Sequence, residues 1–111
     1  MGQLAESFTT TLGAGGAGSV RVGPSSMRAR WSVSSVQVTT STNVSEPTAS
    51  VYLGSSSGVA LASTYTGSND TASDLNVDLW PGQYLTVQWT GGDAGATATA
   101  SVYGETSTWG Q

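Results

Sequence analysis

Histidine, cysteine and lysine are all absent from these 111 residues. A Ser-His-Asp relay, a thiol nucleophile, a Schiff-base lysine and a typical zinc site are therefore excluded. What remains for acid-base work is seven carboxylates, Glu6, Glu46, Asp70, Asp74, Asp78, Asp93 and Glu105. A carboxylate pair can hydrolyse glycosides, but these acids fall mostly in or beside turn-forming stretches, where Asp caps backbone amides. The expectation is a protein without catalytic activity.

One local acidic group invites a metal. Asp70, Asp74 and Asp78, with Asn69 and Asn76, place hard oxygen donors on a polar stretch, as Ca²⁺ requires. Their spacing departs from an EF-hand loop, and Asn76 and Asp78 alternate with Leu75, Val77 and Leu79 as the wet side of a strand. Structural turn chemistry is the preferred reading, with no metal and no cofactor expected.

Aromatic residues offer a second chemistry, because sugar rings stack on Trp and Tyr faces. The candidates are Trp80, Trp89, Tyr52, Tyr65, Tyr84 and Tyr103. Parity assigns Trp31 and Trp89 to a core, and leaves Tyr84 and Tyr103 as cross-strand partners on an exposed or interface side. The three cations, Arg21, Arg28 and Arg30, lie within ten residues and read either as a solvated rim or as groups for two-pronged pairing with carboxylates of a neighbour. With a formal charge of −4 the chain repels a phosphate backbone, so nucleic acid is not an expected partner. No apolar run approaches the roughly twenty residues that span a bilayer, and Met1–Leu12 lacks the pattern of a signal peptide, so a soluble protein without a membrane partner is expected.

The elements that must position these groups are strands. Leu85, Val87 and Trp89 alternate with Thr86 and Gln88; Ala96, Ala98, Ala100 and Val102 alternate with Thr97, Thr99 and Ser101. Period two means one dry and one wet face per strand. Gly91–Gly95 reads as the turn joining the two, and Leu75–Leu79 as a strand folding back on the first of them. Pro81 and Gly82 suit the second and third positions of a turn in Trp80-Pro-Gly-Gln.

Upstream, Val20 and Val22 form a short strand and a longer one runs from about Arg28 to Thr39. Its apolar residues change parity between Val33 and Val36, so a bulge at Ser34 and Ser35 is needed to turn Trp31, Val33, Val36 and Val38 to one side. The alternative is a strand that crosses between sheets. Ala49–Leu53 and Val59–Tyr65 make a hairpin, with 40–47 and 66–73 as loops. The pattern predicts an all-β antiparallel β-sandwich or jelly roll of about seven or eight strands.

Residues 1–18 read as a separate N-terminal arm with a glycine-rich hinge, ahead of a β-sandwich domain at 19–111. Leu4, Phe8 and Leu12 sit at helical spacing, while Phe8, Thr10 and Leu12 also share a strand parity. Two readings stand: a disordered terminus, or an arm that orders on a neighbouring subunit. The candidate partner-binding residues are therefore Leu4, Phe8, Leu12, Arg28, Arg30, Tyr84, Tyr103 and Trp109.

Four stretches carry a family resemblance: Trp31-Ser-Val; Pro47 to Leu53; Thr64 to Thr71, TYTGSNDT; and above all Trp80 to Ala96, WPGQYLTVQWTGGDAGA. Across residues 19–105 the chain resembles small virion structural proteins of actinobacterial bacteriophages, many of them called minor tail proteins. The absence of Lys and Ile fits the GC-rich coding of such genomes. The resemblance implies a place in the virion and binding to other phage virion proteins, major capsid or tail subunits, as a homo-oligomer or in many copies. Two placements follow: a capsid decoration protein that stabilises the shell, or a tail-tip protein contacting a host-surface glycan. A free carbohydrate-binding module is the reading from a different class.

Overall fold

The computed structural model describes the chain except for Met1, 25–28, Asn43, 55–58, 67–68, Asp74 and 109–111. Nine strands are formed among the described residues: β1 (Gly2–Thr11), β2 (Gly18–Val22), β3 (Ala29–Thr40), β4 (Thr48–Leu53), β5 (Val59–Thr66), β6 (Asn69–Ala72), β7 (Val77–Leu79), β8 (Leu85–Thr90) and β9 (Thr97–Thr108). They build two antiparallel sheets. One has the order β1-β9-β3-β6, with β7 also on β3, and the other the order β2-β8-β4-β5.

The pairings have a simple logic. β4 pairs β5, β3 pairs β6 and β7, β2 pairs β8 and β1 pairs β9. The chain is thus one long hairpin with its tip at β4–β5, rolled up so that successive pairs alternate between sheets. That is a jelly roll.

The core lies between the sheets. Trp89, Leu79, Leu85, Val22, Val36, Val87, Ala98, Ala100 and Val102 are fully buried, and Trp31 is nearly so. The expected bulge in β3 is present: the register against β9 shifts between Val33 and Ser35, and all four apolar residues of β3 are buried. Ser34, the extra residue, donates its hydroxyl to the Tyr103 carbonyl (3.1 Å) and accepts at its own carbonyl from Leu75 N–H (3.0 Å). Opposite it sits Gly104, where an added β-carbon would collide with the Ser32 carbonyl oxygen. Glycine is required there because two backbones meet without room for a side chain.

Three sequence expectations are corrected. Residues 1–18 are not an arm: β1 pairs with β9 over ten successive residues, from Gly2 opposite Thr106 to Thr11 opposite Thr97, and Leu4 and Leu12 are each 2 % exposed. Leu4, Phe8 and Leu12 share the inward parity of an edge strand, so the apparent helical spacing is a strand parity sampled every fourth residue. The hinge is a short 3-10 turn, Ala14–Gly16, with Gly16 packed on Gly92 and its carbonyl accepting from Gly92 N–H (3.1 Å).

Second, β8 and β9 are not a hairpin. Gly91–Gly95 carries the chain from one sheet to the other, which lets both Trp89 and Ala96 point into the core. Third, β7 pairs β3 rather than β8, with Trp31 opposite Leu79, and part of the expected 66–73 loop is strand β6.

Candidate docking surfaces

The crossovers divide the loops between the two ends of the strands. At one end lie 12–17, 41–47 and 91–96; at the other, Gly23, Gly54 and the Trp80–Tyr84 turn. At an average rise of about 3.3 Å per residue β3 alone spans roughly 40 Å, so the strands run along the 48 Å axis of a 48 × 22 × 21 Å body.

The first end is organised by Asp93. Its carboxylate accepts from Thr42 Oγ1 (2.9 Å), Val44 N–H (2.8 Å) and Ser45 N–H (2.8 Å). Those bonds, led by that from Ser45, favour the charged form and hold its pKa below the ordinary carboxylate value. Thr40 Oγ1 donates to the Thr42 carbonyl (2.8 Å), and Thr97 N–H to Ser41 Oγ (2.9 Å). The outcome is a fixed loop with Val44 at its tip, 94 % exposed.

At the second end the Trp80–Gln83 turn closes as the sequence requires, with Gly82 at φ 88° and Gln83 N–H donating to the Trp80 carbonyl (2.9 Å). Gln83 Oε1 accepts from Trp80 N–H (2.9 Å), Gly54 N–H donates to the Tyr84 carbonyl (2.9 Å), and Thr86 Oγ1 donates to the Gly54 carbonyl (2.6 Å). These bonds frame a depression of about 270 Å³ lined by Leu53, Gly54, Gly82, Gln83 and Tyr84. The Arg21 guanidinium lies over the Tyr84 ring, 4.7 Å from its centroid, and Arg30 over Trp80 at 5.3 Å. Cation and ring quadrupole attract. Arg30 also pairs with Asp78 (3.2 Å), which accepts from Ser32 Oγ (3.0 Å).

The sequence candidates therefore separate. Leu4 and Leu12 are internal, and Phe8 is half-buried with its ring 6.3 Å from that of Trp31. Their apolar surface is already used within the chain, so the expectation that they dock a neighbour gives way. Tyr84 and Tyr103 are not cross-strand partners, because Tyr84 leads into the second sheet and Tyr103 lies on the outer side of the first, opposite Ala5 and Ser35. Arg30 and Tyr84 share the second end, whereas Arg28 and Trp109 lie outside the described residues. The acidic group also disperses: Asp70 stands opposite Val38 and Asp78 opposite Ser32, six positions apart on β3, and Asp74 is outside the described residues. No three acids, among the described residues, are placed to hold a metal.

No family model and no curated protein matches the chain. Among solved structures it is similar to the VP2 subviral particle of infectious bursal disease virus, at 13% identity and TM-score 0.31, over 89% of this chain and 32% of that one. It is likewise similar to the structure of the Gx strain of that virus, at 12% identity and TM-score 0.30, over 96% of this chain and 32% of that one. The chain thus spans about a third of the length of these neighbours. The jelly-roll assignment rests on the strand pairings and not on that likeness.

Sequence reasoning missed Val44 and Leu53 as features of the two ends, whereas Arg21 was already singled out with the other two arginines. Val44 stands alone between polar residues, and only the bonds from Asp93, 49 positions away, make it a fixed projection.

Proposed function

We propose that this protein is a bacteriophage virion structural protein that binds other virion subunits, placed on the shell as a capsid decoration protein. The observation that carries this reading is the character of the two loop ends: their described residues are wired into small fixed contact features. The depression at the second end is framed by Leu53, Gln83, Tyr84 and glycine backbone, with no carboxylate among its described lining residues. Asp93 and Asp78 are engaged in structural bonds, which leaves them poorly suited to acid-base work. The resemblance of residues 19–105 to phage virion proteins supports the same class.

With the first strand inside the sandwich, attachment falls to surfaces rather than to an arm. β1 is an edge strand, but Glu6 stands on its inward parity opposite Val102 and is exposed, a charge that discourages another strand from adding there. The loop ends and the Tyr103 side of the first sheet are the better contact surfaces. Sugar binding is less well served, since one face each of Trp80 and Tyr84 carries a guanidinium.

The test uses particles made without the gene, to which purified protein is added back. The reading expects the protein to co-sediment with them in many copies and to raise the temperature at which the genome is released. Failure to bind would overturn the virion reading; a few copies at the tail tip would keep it and overturn decoration.

A further inference from the structure

The two ends of the sandwich are complementary to each other. One presents Val44, 94 % exposed, on a loop held by three bonds to Asp93, with Glu46 also exposed beside it. The other presents the depression walled by Leu53 and Tyr84, with Leu53 itself 42 % exposed. A projection already fixed in place loses little conformational freedom on docking, and so does a depression whose walls are hydrogen-bonded. At about 270 Å³ the depression has room for the Val44 side chain together with atoms of the loop that carries it.

Charge points the same way. Arg21 stands beside the depression with no carboxylate in ion-pair reach among the described residues, in a chain of net charge −4. The end that bears Val44 is acidic, with Glu46 on the same loop and Asp93 on the 91–96 loop that holds it. Arg and Tyr are also the residue types that most often dominate protein contacts.

We propose that the protein associates head to tail with itself: Val44 of one copy seats in the depression lined by Leu53, Gly54 and Tyr84 of the next, with Arg21 facing the acidic loop. The contact joins two different patches, so it propagates into a row or closes into a ring rather than stopping at a dimer. It is small and therefore weak. In a particle, neighbouring sites would hold copies close enough for it to form.

The experiment is sedimentation velocity on the purified full chain, up to about 1 mM, where weak contacts populate. The parent should grow beyond a dimer with concentration. Val44→Lys brings a cation against Arg21, and Leu53→Glu brings an acid against the acidic loop. Both positions are exposed, so melting should match the parent, and each variant alone should associate at least about tenfold more weakly. An equimolar mixture should recover association, because one intact projection and one intact depression remain. Arg21→Glu gives a second reading of the same surface and should weaken association too. A parent that stays monomeric, a variant that associates like the parent, or a mixture that stays monomeric would each overturn the proposal. The readout needs no particle, so its failure is distinct from failure of the virion reading.

Discussion

Replacing Leu12 by Ala separates a first strand that belongs to the core from a detachable arm. Leu12 is 2 % exposed, its N–H donates to the Ala96 carbonyl (2.9 Å) and its carbonyl accepts from Gly95 N–H (2.8 Å). Its methyl groups lie against Gly18 and Gly92, where an added β-carbon would come within 3.0 and 2.9 Å. Packing that close relaxes little after truncation, so the cost is the lost transfer energy plus a residual cavity, about 3 kcal/mol. A domain of this size has roughly 6–17 kcal/mol in total, so the variant still folds. At about 4 °C per kcal/mol its melting temperature falls by about 12 °C. Circular dichroism melts and urea titrations measure both quantities, and the urea slope should be unchanged. Leu4→Ala, within β1 itself and eight positions before Leu12, should cost a similar amount, and the double variant should be additive to within about 0.5 kcal/mol. A Leu12→Ala melt within a degree of the parent would refute the placement of β1.

Gly104→Val forces a β-carbon onto the Ser32 carbonyl at the bulge and should cost about 1–3 kcal/mol or disturb the β3–β9 register, read from a urea titration and from amide exchange of Trp31 to Val36. The Asp93 loop should be acid-sensitive. A carboxylate whose folded pKa lies below its unfolded value contributes above that value, ordinarily 3.8, and the contribution fades as pH falls through the folded pKa. The Val44 and Ser45 amide resonances should therefore move below about pH 4, and stay put in Asp93→Asn. Ca²⁺ and a chelator should leave the melting temperature unchanged, since Asp70 and Asp78 are held apart along β3; a calcium-dependent rise would contradict that separation.

Local patterns were the legible part of the sequence. The parity change in β3 demanded a bulge and the register shows one, because only that defect buries Trp31, Val33, Val36 and Val38 together. The Trp80–Gln83 turn and the β4–β5 hairpin were equally readable, since each is decided by adjacent residues. Partners distant in sequence were not. Alternation shows that Leu4 and Leu12 have a dry side, but nothing near them names β9, some ninety residues away, as the strand they pair with. The same gap turned a sheet-to-sheet crossover at Gly91–Gly95 into an apparent hairpin, because Trp89 and Ala96 look alike whether they share a sheet or face each other across the core. The contact features at the ends were hidden for a related reason: Val44 and Leu53 are ordinary residues until Asp93 and Tyr84 fold against their loops.

Counting and locating the protein on purified phage particles tests the central claim most directly. Quantitative labelling of washed virions, combined with imaging of the head and tail, gives both copy number and place. The account predicts many copies arrayed over the head, with neighbours spaced so that one end of the sandwich approaches the other end of the next. Washed particles that contain none of it, with all of the protein left in the soluble lysate, would contradict the account.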